Sequence, residues 1–410
     1  MLSRKVLEVV TAPPERNRVL AAGLPLLRIN PRSSAAVSLR VLPWLLQLGL
    51  GGPSAAAQVA VPPYAQVEPA STWLPAITRA RAFVIDTMKK LGAPGASVTV
   101  MKNGQIIWSE GFGLADVEQQ VAVTPLTRFR VGSVSKSLTS AALGLLVQEG
   151  RIDLDAPVQR YVPGFPVKRW PITVRQVAGH LAGIRHYQGE EFVLKRHWAS
   201  VHDGLAIFKD DSLLFEPGTR YSYSTYGWSL ISAVIEGAGG QPYLDFMNTR
   251  VFGPLGMHNT VAEFVDSLIP HRARFYTRGD SGGGVINATF VDNSYKWAGG
   301  GFLSTTEDLG RFGDALLDGT LLKPATVQLL WTSQKTRDGK ETGYGMGWRT
   351  DKDSAGRRRV WHSGGSEGGT AYLLIYPDQK LIISVLVNSD QTFIGASSTI
   401  AEWFLAAEKR

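Results

Sequence analysis

The sequence contains no cysteine among its 410 residues. This absence excludes a disulfide scaffold, a thiolate nucleophile and thiolate metal ligands. The chain also lacks a long apolar run near its N-terminus, because VLPWLLQLGL at residues 41–50 is too short to span a membrane. We therefore expect no stable membrane span in the mature chain.

Most of the net positive charge lies in residues 1–57. The formal net charge is +8, and residues 1–57 contribute +5 of it through seven Lys or Arg against two Glu, which leaves +3 for the rest of the chain. With 44% hydrophobic and 10% aromatic residues, the composition is typical of a globular protein. A nearly neutral body is a poor electrostatic match for nucleic acid. We predict no nucleic-acid partner.

Residues 1–57 have the features of a targeting segment that is removed. Arg40 precedes the apolar run, and the three alanines at residues 55–57 form a small-residue cleavage site after it. We predict export to the periplasm or out of the cell. The Arg-rich, acid-poor composition is also typical of an organellar transit peptide, so a mitochondrial location is the alternative. The proline-rich residues 58–71 are predicted to form a linker.

The sequence predicts two β-strands near each end of the remaining chain. These strands are residues 96–101, 106–111, 371–376 and 380–388. Asn103-Gly104 lies between the first two and is a strong signal for a tight hairpin. Antiparallel pairing of the strands follows from these short connections.

Helical patterns flank the predicted strands. Apolar residues recur at helical spacing over residues 73–91 and 397–408. We predict an α/β (α+β) fold, in which an antiparallel sheet is flanked by helices. Residues 72–410 then form one domain, with an α/β part from about residues 72–165 and 336–410 and a mostly helical insert at about residues 166–335.

One stretch combines a helix start with reactive side chains. In VGSVSKSLTSAALGLLVQEGR, residues 131–151, apolar residues recur at helical spacing and Gly132 permits a tight entry, so the helix begins close to Ser133. Lys136 lies one turn later on the same face, within reach of the Ser133 hydroxyl. The helix dipole favours a developing oxyanion there, and a serine becomes nucleophilic when a neighbour takes its proton. The pair therefore predicts a catalytic serine.

Ser-x-x-Lys alone is a weak signal, because Ser near a helix start is often only a cap. Two later segments strengthen it, FEPGTRYSYSTYGWSLISAVIE at residues 215–236 and VWHSGGSEGGTAYLLIYP at residues 360–377. Together the segments resemble the serine β-lactamase and penicillin-binding protein superfamily, in particular its class C β-lactamases, D-alanyl-D-alanine carboxypeptidases and β-lactamase-like esterases. Four further strings resemble the mitochondrial serine β-lactamase-like proteins of this superfamily. They are residues 172–187, 223–227, 272–276 and 291–305.

The resemblance covers about residues 95–388 and implies catalytic roles. Ser133 matches the nucleophile that forms an acyl-enzyme, and Lys136 matches the lysine that helps to activate it. Tyr223 resembles the tyrosine of the Tyr-x-Asn element, which passes protons between the serine and the leaving group. Free Lys and Tyr titrate near 10, so either one needs a pKa shift of about three units, or roughly 4 kcal/mol, to act as the base at pH 7. The sequence leaves open which of the two is the base.

The third element of the family is written Lys-Thr-Gly or His-Thr-Gly and lies on an edge strand. His362-Ser363-Gly364 resembles it, which implies a catalytic role for His362 and substrate binding by Ser363 and Gly364. The backbone N–H groups of Ser133 and Gly365 would form the oxyanion hole. Because histidine titrates near neutrality, we expect His362 to produce a limb in the pH–rate profile at about pH 6 to 7.

One position departs from the family pattern. Thr225 stands where the Tyr-x-Asn element has Asn, which removes a carboxamide that contacts substrate and lysine in relatives. We assign Thr225 to substrate binding and leave specificity for β-lactams open.

The resemblance implies a serine hydrolase that cleaves esters or small peptides, as an esterase or carboxypeptidase. One alternative is a β-lactamase or penicillin-binding protein. Another is a filament-forming structural protein with weak protease activity, for which the partner is a second copy of the chain. The expected substrates are small esters, peptides or β-lactams, and no metal or organic cofactor is implied.

Histidines and glycines near these segments have simpler interpretations. His180 and His186 lack an acidic cluster at ligand spacing, so we predict local hydrogen bonds rather than zinc binding. Gly299-Gly300-Gly301 lacks the Gly-Lys-Ser/Thr ending of a phosphate loop, and we predict close backbone packing against the site.

Overall fold

A computed structural model describes residues 69–279, 284–390, 393 and 395–408. The predicted targeting segment at residues 1–57 lies outside the described residues, as does the predicted linker up to residue 68. Both remain predictions.

The described residues form groups of helices and groups of strands that follow one another along the chain. The helices are α1 (Leu74–Leu91), α2 (Val134–Gln148), α3 (Val174–Ala178), α4 (Val201–Leu205), α5 (Thr225–Gly239), α6 (Tyr243–Phe246), α7 (Trp297–Gly300), α8 (Thr306–Leu317), α9 (Pro324–Trp331) and α10 (Ala396–Ala407). The strands are β1 (Gly95–Lys102), β2 (Gln105–Asp116), β3 (Val121–Ala122), β4 (Phe129–Arg130), β5 (Val261–Ala262), β6 (Tyr276–Arg278), β7 (Val285–Asn287), β8 (Phe302–Ser304), β9 (Arg349–Lys352), β10 (Arg358–Ser366), β11 (Gly369–Tyr376) and β12 (Leu381–Val387).

Seven of these strands form the main sheet, in the order β3-β2-β1-β12-β11-β10-β9. Its pairings are antiparallel, so the predicted fold class is confirmed. Asn103 and Gly104 join β1 to β2 and both have positive φ, 51° and 78°, which is the geometry that a two-residue hairpin requires. Strands from the two ends of the domain meet at the centre, where Ala96 of β1 faces Val387 of β12.

Helices cover both faces of the sheet. Successive side chains of a strand point to opposite faces, so Val385 packs in the apolar cluster under α1 and α10, whereas Leu386 packs in the cluster that contains α2. α8 lies on the α2 side against β1 and β12, although it falls within the predicted helical insert. The division into an α/β part and an insert at residues 166–335 remains our proposal. No helix within the described part of the chain is long and apolar enough to cross a membrane.

Helix α2 occupies the centre of the molecule. Its residues from Val134 to Leu146 are buried, and it contacts α5, α7, α9 and β10. Fifteen residues of such low polarity are stable as a helix only when packing covers every side. These contacts hold the start of α2 between the main sheet on one side and the other helices on the other side.

Candidate active site

Ser133 is the residue that immediately precedes α2, which begins at Val134 as the sequence predicts. The turn before it is tight, since Gly132 has φ +47°. A Cβ atom at Gly132 would lie 2.6 Å from the Gly365 carbonyl oxygen, and one at Gly364 would lie 2.0 Å from the Val131 carbonyl oxygen. Only glycine permits this approach, so the backbone of β10 packs directly on the turn that presents Ser133.

The Lys136 amino group lies at the centre of the site. Its Nζ is 3.0 Å from Ser133 Oγ, 3.1 Å from Thr225 Oγ1 and 2.6 Å from the Gly299 carbonyl oxygen. Complete burial holds the pKa of Lys136 well below its usual range, and the positive charge of Lys296 lowers this pKa further. In its neutral form this amine has a lone pair available to the Ser133 hydroxyl proton and N–H groups for the two other oxygens.

Tyr223 packs against the other side of this lysine. Lys136 Nζ lies 4.9 Å from the centroid of the Tyr223 ring. Burial raises the pKa of Tyr223 above its usual value, and a hydrogen bond with Ser133 opposes this rise only in part. The phenol is therefore protonated at neutral pH. His180 packs on its ring with centroids 4.3 Å apart, and His186 packs edge-on at 5.6 Å.

Local backbone contacts hold the residues around Lys136. His180 Nδ1 accepts the Ser224 N–H at 3.1 Å and His186 Nδ1 accepts the Thr225 N–H at 3.3 Å, which confirms the predicted local hydrogen bonds. A Cβ atom at Gly299 would lie 2.5 Å from Thr225 Cγ2. The predicted close packing of the glycine cluster is also confirmed, and it directs the Gly299 carbonyl at Lys136.

His362 lies beneath the site in a buried hydrogen-bonded position. Its Nδ1–H donates to the Ser363 carbonyl oxygen at 2.6 Å, and its Nε2 is 2.9 Å from the Tyr344 hydroxyl. Burial lowers the pKa of His362 to about 3. The expectation that His362 titrates at about pH 6 to 7 is therefore wrong, because it rests on the ordinary pKa of histidine, and burial lowers the pKa of this ring.

The three residues after His362 differ in what they contact. Strand β9 pairs only with residues 358–361 of β10, so residues 362–366 have no sheet partner on that side among the described residues. Gly365 lines the same cavity as Ser133. The Ser363 side chain points to the opposite face and lines a different cavity with Trp361 and Tyr372, because side chains alternate along a strand.

A cavity of about 410 Å³ opens over the reactive groups. Four of the residues that the sequence predicts as site residues line this cavity: Ser133, Tyr223, Thr225 and Gly365. Several further residues complete the lining and were not named as site residues from the sequence. These include His186, Tyr187, Phe192, Lys296, Ser366 and Glu367. His186, Tyr187 and Lys296 fall in the family-like strings at residues 172–187 and 291–305, which carry no recognisable catalytic motif. Ser366 and Glu367 follow the third element in the segment at residues 360–377, and Phe192 lies outside all of these segments.

A half-buried serine and a buried lysine at the start of a central helix, beside an antiparallel sheet, define a serine hydrolase of the β-lactamase fold. The family model described as Beta-lactamase matches residues 80–407. The chain therefore belongs to this family.

Known proteins support this membership. The chain is 32% identical to the human serine beta-lactamase-like protein LACTB, mitochondrial, over 82% of this chain and 80% of that protein. Its fold is similar to that of the octameric penicillin-binding protein homologue from Pyrococcus abyssi, with TM-score 0.70 and 26% identity over 81% of this chain and 77% of that chain. It is also similar to a D-stereospecific amidohydrolase from Streptomyces sp., with TM-score 0.67 and 27% identity over 79% of this chain and 97% of that chain.

Proposed function

We propose that the protein hydrolyses esters or small peptides through an acyl-enzyme formed on Ser133. The observation that carries this proposal is the 3.0 Å contact between Lys136 Nζ and Ser133 Oγ at a lysine whose burial favours the neutral amine. A neutral amine at hydrogen-bond distance is the base that a serine nucleophile needs.

Acylation then begins with transfer of the Ser133 hydroxyl proton to Lys136 Nζ. The Ser133 oxygen forms a bond to the substrate carbonyl carbon, and the carbonyl becomes an oxyanion. The oxyanion then re-forms the carbonyl as the bond to the leaving group breaks, and the leaving group takes a proton from Tyr223, which its raised pKa keeps protonated until this step. The Lys136 ammonium returns a proton to Tyr223, so the site regains its initial charge. Water repeats the sequence on the acyl-enzyme and releases the acid.

The oxyanion is proposed to bind the backbone N–H groups of Ser133 and Gly365. The Gly132 and Gly364 contacts support this, since they hold the two backbone segments against each other. Preorganised N–H donors of this kind contribute about 3 kcal/mol each to transition-state stabilisation. In this proposal His362 is a positioning residue, because its side chain lies below the cavity and holds the backbone of β10.

Amides and esters are the favoured substrate class. Similarity to the D-stereospecific amidohydrolase supports a small amide or peptide as the acyl donor. We expect β-lactams to be poorer substrates than these. The Thr225 hydroxyl accepts a hydrogen bond from Lys136, but Thr225 offers no carboxamide to a substrate amide.

The test is a panel of p-nitrophenyl esters, D-amino-acid amides and nitrocefin, run on the wild-type protein, Ser133→Ala and the exposed control Ser354→Ala. We expect ester and amide turnover in the wild type and Ser354→Ala, and at least a ~10³-fold loss in Ser133→Ala. Intact-mass labelling by a fluorophosphonate should follow the same pattern. Turnover of every substrate in Ser133→Ala would reassign the nucleophile, and nitrocefin as the only substrate would favour the β-lactamase alternative.

We also propose that the chain assembles with further copies of itself. We propose further that residues 1–57 direct the protein to its compartment. The octameric homologue supports the first proposal, and sedimentation velocity on the purified protein tests it. For the second, export remains the first expectation, and similarity to a protein named as mitochondrial supports the alternative. Fusion of residues 1–57 to a fluorescent reporter distinguishes the two.

A further inference from the structure

His180 contacts the chain on both sides of Tyr223. Its carbonyl oxygen accepts the Ser222 N–H at 2.9 Å, and its Nδ1 accepts the Ser224 N–H at 3.1 Å. Between these two hydrogen bonds, its ring packs on the Tyr223 ring with centroids 4.3 Å apart. One residue therefore holds the phenol ring and the backbone of both residues that flank it.

The backbone of His180 has an unusual conformation. Its φ of +61° lies in the left-handed region, which few residues other than glycine adopt. The residue follows α3 and Gly179, and its own N–H donates to the Val177 carbonyl oxygen at 3.2 Å. The chain turns here after α3, so that the carbonyl oxygen and the ring of His180 both face residues 222–224. A strained backbone of this kind persists where the surrounding structure requires it, and such positions cluster at functional sites.

The His180 ring also has a buried polar atom that lacks a partner. His180 is 2% exposed, and burial lowers its pKa well below the usual value, so the ring is neutral. Because Nδ1 accepts the Ser224 N–H, the proton of the neutral ring is on Nε2. Nε2 has no hydrogen-bond partner among the described residues. An unpaired buried donor reduces stability, as does a strained backbone, so packing alone does not account for histidine at this position.

The position of the Tyr223 hydroxyl depends on these contacts. Lys136 Nζ lies 4.9 Å from the centroid of the Tyr223 ring, so the ring lies against both the Lys136 amino group and the imidazole of His180. Ser133 and Tyr223 line the same cavity. Proton transfer requires the hydroxyl within hydrogen-bond distance of the reacting atom, and a displacement of about 1 Å can lower a rate by about 100-fold. A phenol ring that moved freely would not meet this requirement.

We propose that His180 is a positioning residue, which holds the Tyr223 hydroxyl where the leaving group takes up its proton. This inference rests on the proposed function of Ser133. As the bond between the carbonyl carbon and the leaving oxygen breaks, that oxygen keeps the electron pair and takes the Tyr223 proton, and Lys136 then returns a proton to Tyr223. An alkoxide needs this proton in order to leave, whereas p-nitrophenolate leaves without it. His180 should therefore matter for alkyl esters, and much less for p-nitrophenyl esters.

The first test compares p-nitrophenyl butyrate with ethyl butyrate, which share the acyl group and differ only in the leaving group. The enzymes are the wild type, His180→Phe and His180→Asn. Phenylalanine keeps a ring but removes the acceptor of the Ser224 N–H, whereas asparagine tolerates positive φ and carries an acceptor oxygen close to the position of Nδ1. The control is His271→Phe, because His271 is exposed and also has positive φ, 58°.

We expect His180→Phe to raise the ratio of kcat/KM between the p-nitrophenyl and ethyl esters by at least ~10-fold, mainly through a lower kcat for the ethyl ester. His180→Asn should restore part of the wild-type ratio, and His271→Phe should keep it. Both rates come from one preparation, so a loss of folded protein cancels in the ratio. An unchanged ratio in His180→Phe overturns the inference, as does a wild type that hydrolyses only the p-nitrophenyl ester.

The second test needs no turnover. NMR of the wild-type protein with ¹⁵N-labelled histidine, assigned with His180→Asn, reports which ring nitrogen of His180 carries the proton. We expect a neutral ring that is protonated at Nε2 between about pH 6 and 8. A proton on Nδ1 would remove the acceptor of the Ser224 N–H and overturn the inference. Ester hydrolysis that persists in Ser133→Ala would instead contradict the proposed function, and the NMR spectrum would then still decide whether His180 holds Ser224.

Discussion

The Tyr344 hydroxyl and His362 Nε2 lie 2.9 Å apart, and both side chains are buried. Since Nδ1–H of His362 donates to the Ser363 carbonyl oxygen, Nε2 of the neutral ring is the acceptor of the Tyr344 O–H. Burial raises the pKa of Tyr344, so the phenol remains a donor. The imidazole thereby joins the backbone of β10 to the loop before β9.

Substitution Tyr344→Phe removes this donor and leaves His362 Nε2 buried without a partner. We expect the free energy of unfolding to fall by about 1–3 kcal/mol, measured by urea denaturation. The half-buried Tyr372 of β11 is the matched control, and Tyr372→Phe should change stability by less than about 0.5 kcal/mol. Equal effects of the two substitutions would argue against the hydrogen bond.

The pH dependence of ester hydrolysis should report Lys136 rather than His362. Lys136 acts as a base only when neutral, so kcat/KM falls as the pH falls through its pKa. The charge of Lys296 lowers that pKa, and Lys296→Met removes the charge. The acidic limb for a neutral ester should therefore move to higher pH in Lys296→Met. Profiles from about pH 5 to 10 test this, and a limb that stays in place contradicts the assignment of Lys136 as the base.

Lys296 should also make stability depend on pH. Burial and the charge of Arg130 lower the pKa of Lys296 to about 7, although Glu263 and Glu367 act in the opposite direction. In the unfolded chain a lysine has a pKa of about 10.4. Between about pH 7.5 and 9.5 the unfolded state binds more protons, so the free energy of unfolding rises with pH, by at most about 1.4 kcal/mol per unit from this group.

Lys296→Met should show a smaller rise than the wild type in urea denaturation at the two ends of this range. The range stops below about pH 10, because buried tyrosines such as Tyr223 have raised pKa values and reverse the slope above it. Identical slopes for the two proteins would show that Lys296 keeps its ordinary pKa.

The buried pair Arg130–Glu263 should be essential for stability. Their closest contact is 2.8 Å, with exposed side-chain fractions of 7% and 3%. Glu263→Gln leaves the Arg130 charge buried and unpaired, for which we expect a loss of about 3–5 kcal/mol in urea denaturation. In the surface pair Arg81–Glu110, Glu110→Gln should cost at most about 1 kcal/mol. Comparable losses at the two sites would contradict the importance of burial.

A methyl group at position 364 should disable the site. The Cβ atom of Gly364→Ala would lie 2.0 Å from the Val131 carbonyl oxygen, so β10 must move away from the turn of Ser133. We expect a fall in kcat of at least ~10²-fold for the best ester, since displacement of the Gly365 N–H weakens the proposed oxyanion hole. Gly164→Ala, where nothing lies within 4 Å of the added atom, is the control and should retain wild-type kcat.

Local patterns in the sequence predicted most elements of the sheet. Asn103-Gly104 identified the β1–β2 hairpin because only a few residue types tolerate two successive positive φ angles. The β-rich runs at residues 371–376 and 380–388 likewise indicated β11 and β12. The placement of Ser133 at the start of α2 followed from helical spacing and Gly132.

Contacts between distant segments could not be predicted in this way. Lys296 occurs in no helix or strand pattern that predicts a place in the site, and only tertiary packing puts it in the same cavity as Ser133. The error about His362 has the same origin, because its titration depends on burial by residues that come from elsewhere in the chain. Spacing predicts neighbours within an element, whereas the environment of a titrating group depends on the whole fold.

The close contact between the Ser133 turn and the backbone around Gly364 and Gly365 has a consequence for biosynthesis. A ribosome completes α2 long before it reaches β10, and β12 must still be made before β11 can join the strands near the N-terminus. In the proposed mechanism, the nascent polypeptide therefore holds Ser133 without the segment that would stabilise charge on a substrate. Hydrolysis by this mechanism requires that the last strands have left the exit tunnel, so we expect the unfinished chain to be inert during translation.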